Sequence, residues 1–186
     1  MKLVVGLGNP GDRYVGTYHN VGFIAIDILA NRLGAPDYIE KDDALLCDTR
    51  VKGDKVILCK PLTFMNLSGD AVSRISRYYK IDPKDIIVIY DDIDIKKGTV
   101  RVRENGSAGT HNGMRDIVEK LGSTDFPRVR IGIGLKPSFM DLADYVLSHI
   151  QPFEKPIILK AADKACDFVI DRLNGVPWQD KTVTVE

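Results

Sequence analysis

The side chains that could do chemistry lie in three polar segments of the sequence. The first segment contains Asn9 and His19, the second contains Asn66, and the third runs from Asp91 to Asn112. A histidine can activate water as a general base, and amide groups can stabilise an oxyanion. The sequence has no GxSxG nucleophile motif and no Cys/His metal cluster. These residue types therefore favour a hydrolase in which a histidine activates water.

The acidic cluster Asp91–Asp94 directly follows the predicted buried strand 86–90, so it should stand at the carboxyl end of that strand. From spacing alone, Asp91 could orient a histidine, Asp91 and Asp94 could hold a divalent metal, or the cluster could form only a turn. A lone histidine such as His19, just ahead of a helix pattern, is also often a capping or surface residue. Spacing leaves these alternatives open.

A glycine pattern raises one competing function, a nicotinamide-dependent oxidoreductase. The segment Gly6–Gly11 matches GxGxxG and follows a short apolar strand pattern. Dinucleotide binding needs a helix that opens on the glycines, but Pro10 interrupts this loop and the helix pattern begins only near Val21. The acidic residue expected about 20 residues later is missing, since Asp27 falls inside the helix pattern. The pattern therefore gives the oxidoreductase little support.

Composition limits the class of protein. The 186 residues carry 26 Lys+Arg, 26 Asp+Glu and 44% hydrophobic residues, which suits one globular domain spanning residues 1–186. Zero net charge excludes a strongly basic, histone-like binder of nucleic acid. The window Lys96–Lys136 nevertheless holds nine basic and four acidic residues. A non-catalytic RNA-binding module that uses this basic window is therefore a second alternative.

Other features predict a cytoplasmic protein. The sequence shows no signal-peptide pattern at its start and no apolar run long enough to span a membrane. Cys47, Cys59 and Cys166 lie far apart and predict buried, reduced thiols. No large exposed apolar stripe is predicted, so we expect a monomer without an obligate protein partner.

The pattern of elements predicts an α/β fold. Apolar residues at helical spacing follow Val21, and a final helix is predicted from about Lys155 to Leu173. Two strands near residues 100 and 130 alternate valine or isoleucine with arginine, which predicts half-exposed strands with basic outward faces. We expect a single-domain three-layer sandwich with a mixed, mostly parallel twisted β-sheet flanked by helices.

Six sequence blocks, in order along nearly the whole chain, resemble the bacterial peptidyl-tRNA hydrolase family. The blocks are Leu3–Gly11, Tyr14 with Thr17–Phe23, Lys60–Asn66, Asp91–Asp94, His111–Met114 and Arg128–Gly134. The resemblance implies an enzyme that cleaves the ester joining an N-blocked peptide to the 3′ end of tRNA. It implies no metal and no cofactor.

The resemblance also implies roles for single residues. His19 would deprotonate water, Asp91 would be its partner, and Asn9 would help to distinguish N-blocked substrates from free aminoacyl-tRNA. Asn66 and Asn112 would bind substrate and help to position the water.

The remaining assignments concern contacts with the tRNA. The resemblance implies that Tyr14 and Phe64 contact its 3′ end. The basic window adds Arg103, Arg128 and Arg130, which could clamp the terminal phosphate and the acceptor stem, or could be only solvated strand faces.

Overall fold

A single eight-stranded sheet organises the computed structural model, which describes residues 1–186. Its strands are β1 (Lys2–Gly6), β2 (Ile39–Lys41), β3 (Ala44–Val51), β4 (Asp54–Pro61), β5 (Ile86–Asp92), β6 (Thr99–Arg103), β7 (Arg128–Gly132) and β8 (Lys181–Thr184). Their order across the sheet is β2-β3-β4-β1-β5-β7-β6-β8. The mixed sheet predicted from the sequence is confirmed.

The centre of the sheet is parallel and its margins are antiparallel. Strand β1 pairs in parallel with both β4 and β5, and β5 pairs in parallel with β7. The pairs β2–β3, β3–β4, β6–β7 and β6–β8 are antiparallel. Three strand pairs are parallel and four are antiparallel, so the sheet is less parallel than the mostly parallel sheet that we expected. The four central strands end at one edge of the sheet, where α/β proteins collect their binding groups.

Helices cover both faces of the sheet and complete the three layers. They are α1 (Val21–Arg32), α2 (Ser68–Tyr79), α3 (Asn112–Leu121), α4 (Leu142–Val146) and α5 (Lys155–Leu173). Helices α1 and α5 enclose one apolar core, and α2 and α3 enclose the other. None of the five helices is long and apolar enough to cross a membrane.

The glycines of the GxGxxG pattern bring α1 against the end of β1. A Cβ atom at Gly6 would lie 2.1 Å from the Gly22 carbonyl oxygen, and one at Gly8 would lie 2.6 Å from the Phe23 ring. A Cβ atom at Gly22 itself would lie 2.4 Å from the Leu7 nitrogen. Close packing of helix on strand thus accounts for Gly6 and Gly8, whereas Gly11 has no such neighbour and takes a φ of 104°. The pattern therefore adds no support for the oxidoreductase.

Three short elements were not predicted from the sequence. Strands β2 and β8 lie at the two sheet edges and are largely exposed, so their residues show no apolar run. Helix α4 has only five residues, of which Tyr145 alone is buried. Periodicity does not detect elements of this length and exposure.

We predict that Gly22→Ala lowers the free energy of unfolding by about 2 kcal/mol. Overpacking should cost about 3 kcal/mol, and the better helix propensity of alanine should return about 1 kcal/mol. Urea unfolding followed by the fluorescence of the single tryptophan, Trp178, measures the change. Asn31→Ala, at an exposed position of the same helix, is the control. A stabilised Gly22→Ala protein would show that the helix does not pack this tightly.

Candidate active site

The loops at the carboxyl edge of the parallel strands surround one cavity of about 630 Å³. That volume is typical of pockets that bind small molecules or parts of larger substrates. Eight residues predicted from the sequence line it: Asn9, Tyr14, His19, Phe64, Asn66, Asp91, Asn112 and Arg130. Arg103 and Arg128 do not line it. The fold therefore brings the three polar segments together at one place.

A buried carboxylate shared by two histidines lies at the base of the site. Asp91, at the end of β5, is only 2% exposed, and its Oδ1 lies 2.9 Å from both His19 Nδ1 and His111 Nε2. Its Oδ2 lies 2.9 Å from the same His19 nitrogen. Of the alternatives left open by spacing, the geometry selects Asp91 as the residue that orients a histidine. The second histidine, His111, belongs to one of the six sequence blocks, but no contact with Asp91 was predicted for it.

His111 is held in one tautomer by its position at the start of α3. Its Nδ1 accepts a hydrogen bond from the Met114 backbone N–H at 3.2 Å, so the proton of the neutral ring resides on Nε2. That Nε2–H donates to Asp91. The capping role considered for His19 thus belongs to His111, and only the folded loop reveals it.

His19 is held in the opposite tautomer. Its Nδ1 faces the carboxylate of Asp91 and donates to it, while its Nε2 makes no hydrogen bond within the chain and His19 lines the cavity. Neutral His19 therefore offers a free lone pair at Nε2, the form that a general base requires.

The electrostatics of the cluster follow from burial and from these contacts. Burial alone would lower the pKa of His19, but the charge and hydrogen bond of Asp91 outweigh it, and the net pKa of His19 is raised. Burial alone would raise the pKa of Asp91, but the two histidines lower it well below its usual range. Asp91 is therefore a fixed negative charge beneath His19.

The same three residues have the composition of a metal site. His19, Asp91 and His111 offer ligand atoms within 4.8 Å of one another. The hydrogen bonds argue against that use, because a metal on His111 Nε2 would place the ring proton on Nδ1 and break the cap on Met114. Both oxygens of Asp91 already face histidine nitrogens, so neither is directed towards a metal that Asp94 could share.

Asn9 presents a fixed donor to the cavity. Its Oδ1 accepts from the Met65 backbone N–H at 2.7 Å, which orients the amide. Its backbone is locked to the side chain of Asn20 by two hydrogen bonds, 2.8 and 3.0 Å long. The Nδ2 group of Asn9 makes no hydrogen bond within the chain. Asn66 and Asn112 are exposed and line the same cavity.

An exposed aromatic pair stands at the cavity. The rings of Tyr14 and Phe64 meet edge to face at a centroid distance of 6.3 Å, and Phe64 is 54% exposed. Phe64 has φ 62°, a conformation that is strained for a residue with a side chain. Such strain is concentrated at functional sites, and here it holds an aromatic face open to solvent.

The three arginines occupy different environments, which corrects the expected basic face. Arg128 is fully buried, and its guanidinium donates to the carbonyl oxygens of Ser107, Thr124 and Phe126. It therefore anchors the loops before and after α3, and the expectation of an exposed Arg128 was wrong because these loops enclose its side chain.

The other two arginines are partly exposed. Arg103 donates to the Val102 carbonyl at 2.8 Å and lies outside the cavity. Arg130 lines the cavity, its Nη1 lies 3.5 Å from an Asp92 oxygen, and its buried Nε has no hydrogen-bond partner. Arg130 is thus the one arginine of the three that brings positive charge to the cavity.

We predict that Asp91→Asn lowers the pKa of His19 by about one to three units, because the nearby opposite charge is lost while burial is kept. The measurement is a histidine NMR titration, in which His19→Ala identifies the resonance. An unchanged His19 midpoint in Asp91→Asn would show that the carboxylate does not set the charge of His19.

Comparison with known proteins shows the family to which the chain is similar. A family model described as peptidyl-tRNA hydrolase matches residues 3–183. The peptidyl-tRNA hydrolase of Alkaliphilus metalliredigens (strain QYMF) is 52% identical over 165 residues, which cover 89% of each chain. That of Chloroflexus aurantiacus (strain ATCC 29366 / DSM 635 / J-10-fl) is 49% identical, with 91% of this chain and 90% of the relative covered.

A solved structure extends the agreement to three dimensions. The crystal structure of peptidyl-tRNA hydrolase from Acinetobacter baumannii superposes with a TM-score of 0.84 at 34% identity, covering 95% of this chain and 88% of the other. Since the family model and the relatives span nearly the whole chain, the protein belongs to the peptidyl-tRNA hydrolase family and is a hydrolase.

Proposed function

We propose that this chain hydrolyses the ester between an N-blocked peptide, or an N-acyl-aminoacyl group, and the 3′ end of tRNA, by means of water activated by His19. One observation carries the mechanism. His19 Nδ1 is held 2.9 Å from buried Asp91, while Nε2 is left unbonded at a cavity of about 630 Å³. Released tRNA is then free for reuse in translation.

The proposed reaction needs no covalent intermediate. His19 Nε2 takes a proton from water while the water oxygen bonds to the ester carbonyl carbon, and Asp91 stabilises the imidazolium that forms. The tetrahedral oxyanion then collapses, the bond to the ribose oxygen breaks, and the imidazolium returns its proton to that oxygen. No side-chain hydroxyl or thiol is hydrogen-bonded to His19, so water is the nucleophile that the site supports.

The amides suit an N-blocked substrate. The Nδ2 group of Asn9 can donate to a peptide carbonyl, a group that a free aminoacyl ester lacks at that place. Asn66 and Asn112 are neutral donors that can hold the ester and its developing oxyanion without competing with His19 for the proton.

The outer part of the cavity suits the end of a tRNA. Tyr14 and Phe64 offer aromatic surfaces on which an unpaired terminal base can stack. Arg130 lines the cavity and supplies positive charge for a phosphate, and Arg103 adds positive charge outside the cavity. Arg128 has no place in this clamp, because its donors are already bound by backbone carbonyls.

The setting proposed for this activity is the cytoplasm, with the chain acting as a monomer. All three cysteines are buried and unpaired, as reduced thiols in a cytoplasmic protein would be. The proposed mechanism uses no metal or cofactor.

We predict that His19→Ala reduces cleavage of N-acetyl-aminoacyl-tRNA by about 10²–10⁴-fold, the range for loss of a general base. The affinity for uncharged tRNA, measured by filter binding, should stay within about twofold. His149→Ala, which removes an exposed imidazole outside the cavity, should retain wild-type turnover. Near-normal turnover by folded His19→Ala would refute the mechanism, and tRNA binding without turnover by the wild type would favour the non-catalytic RNA-binding module.

We predict that Arg130→Ala raises KM for full-length substrate and flattens its dependence on salt by roughly one unit of log–log slope or less. A substrate that carries only the acylated terminal nucleotides should be insensitive to the change, as should kcat. Arg103→Ala is tested in the same way. The control is Arg50→Ala, which removes one positive charge from the hairpin at the far margin of the sheet. It should leave KM and its salt dependence unchanged for both substrates. Equal losses on both substrates would show that Arg130 supports the site and not the tRNA contact.

A further inference from the structure

A second polar cluster lies behind the cavity wall and is not used by the proposed mechanism. The Tyr18 hydroxyl donates to Glu154 Oε2, and Lys97 Nζ donates to Glu154 Oε1 at 2.6 Å. Tyr18 is buried, and the side chains of Glu154 and Lys97 are only 16% and 29% exposed. None of the three lines the cavity. We refer to these residues as the Tyr18–Glu154–Lys97 triad.

The triad connects the chain segments that carry the two catalytic groups. Tyr18 directly precedes His19 in a short 3₁₀ turn. Lys97 lies in the connection that leads from Asp91, at the end of β5, into β6. Glu154 immediately precedes α5 and binds both. One carboxylate thus fixes the His19 segment relative to the Asp91 segment.

The triad also supports the wall of the cavity. The Tyr18 ring stacks on the Tyr145 ring at 4.9 Å, and the Tyr145 hydroxyl donates to the Ile133 carbonyl at 2.5 Å. Tyr145 belongs to α4, whose neighbouring residues Leu142 and Val146 line the cavity. The Tyr18 backbone N–H donates to the Ser148 carbonyl at 3.1 Å, just beyond that helix.

The chemistry of the triad makes it a rigid support. Burial, together with the hydrogen bond and the charge of Glu154, raises the pKa of Tyr18, so its hydroxyl stays a neutral donor. Glu154 accepts from both neighbours, which satisfies its two oxygens. Removing the charge would leave the Lys97 ammonium without its carboxylate in a poorly solvated place.

We infer that Glu154 is a positioning residue for hydrolysis, which through Tyr18 and Lys97 holds His19 in register with Asp91. The inference rests on the proposed function for its kinetic readout. Positioning of this kind has large kinetic effects, because small displacements of a catalytic group weaken catalysis far more than binding.

The test is Glu154→Gln, which keeps the shape but removes the charge. We expect kcat to fall by about 5- to 50-fold, with KM for N-acetyl-aminoacyl-tRNA within about twofold. In an NMR titration, the pKa of His19 should fall towards its ordinary value as contact with Asp91 loosens. Tyr18→Phe, which keeps the ring stack, should act in the same direction. The variant that carries both substitutions should be no slower than Glu154→Gln, because both substitutions act on the same contact, that between Tyr18 and Glu154.

The chain contains a matched control triad with the same chemistry. The Tyr38 hydroxyl and Lys60 Nζ both donate to Asp27 Oδ1, each at 2.6 Å, and none of these residues lines the cavity. Asp27→Asn should leave kcat and the titration of His19 unchanged, whatever it does to the melting temperature.

The inference fails if folded Glu154→Gln and Tyr18→Phe lower only the melting temperature, with kcat and the His19 titration at wild-type values. Should Glu154→Gln not fold, Tyr18→Phe alone decides by the same two readouts. A failure of the proposed function is distinguishable, because it would appear as an inactive wild type or an active His19→Ala. The NMR titration would still report whether Glu154 holds His19 against Asp91.

Discussion

The carboxylate of Asp91, buried and shared by two histidines, is the contact on which the site depends. A buried charge is costly unless it is paired and hydrogen-bonded, and here two ring N–H groups supply the pairing. Asp91 in turn places the proton of neutral His19 on Nδ1. The tautomer of His111 is fixed because its Nδ1 caps α3. His19 Nε2 is therefore the one ring nitrogen of the cluster that is left to accept a proton.

The fold serves this contact by where its strands end. The parallel strands β4, β1, β5 and β7 deliver their following loops to one edge, so segments distant in sequence meet there. The glycines at the end of β1 let α1 pack against the strand, which sets the start of the helix next to His19. Arg128 ties the loop that leads to His111, through the Ser107 carbonyl, to the loop after α3, through the carbonyls of Thr124 and Phe126. The residues that shape these loops, such as Arg128, are therefore not the residues that the site uses for chemistry, although both lie in the same part of the fold.

Much of this could be predicted from the sequence, and the exceptions have physical reasons. The apolar run of β5 placed Asp91 at a strand end, and family resemblance paired it with His19. Alternation placed Arg128 on the same strand face as Arg130, but it cannot tell which part of a face a loop covers. The contact of His111 with Asp91 spans 20 residues, and no local pattern encodes it. The role of Glu154 has no sequence signal, because its two partners, Tyr18 and Lys97, come from distant segments of the chain.

The central claim is that Asp91 holds the two histidines in opposite tautomers, and nitrogen-15 NMR of the histidine rings tests it most directly. When both rings are neutral, the account predicts His19 with its proton on Nδ1 and His111 with its proton on Nε2. The contradicting result is a His19 ring protonated on Nε2, since no lone pair would then face the cavity and His19 could not serve as the base.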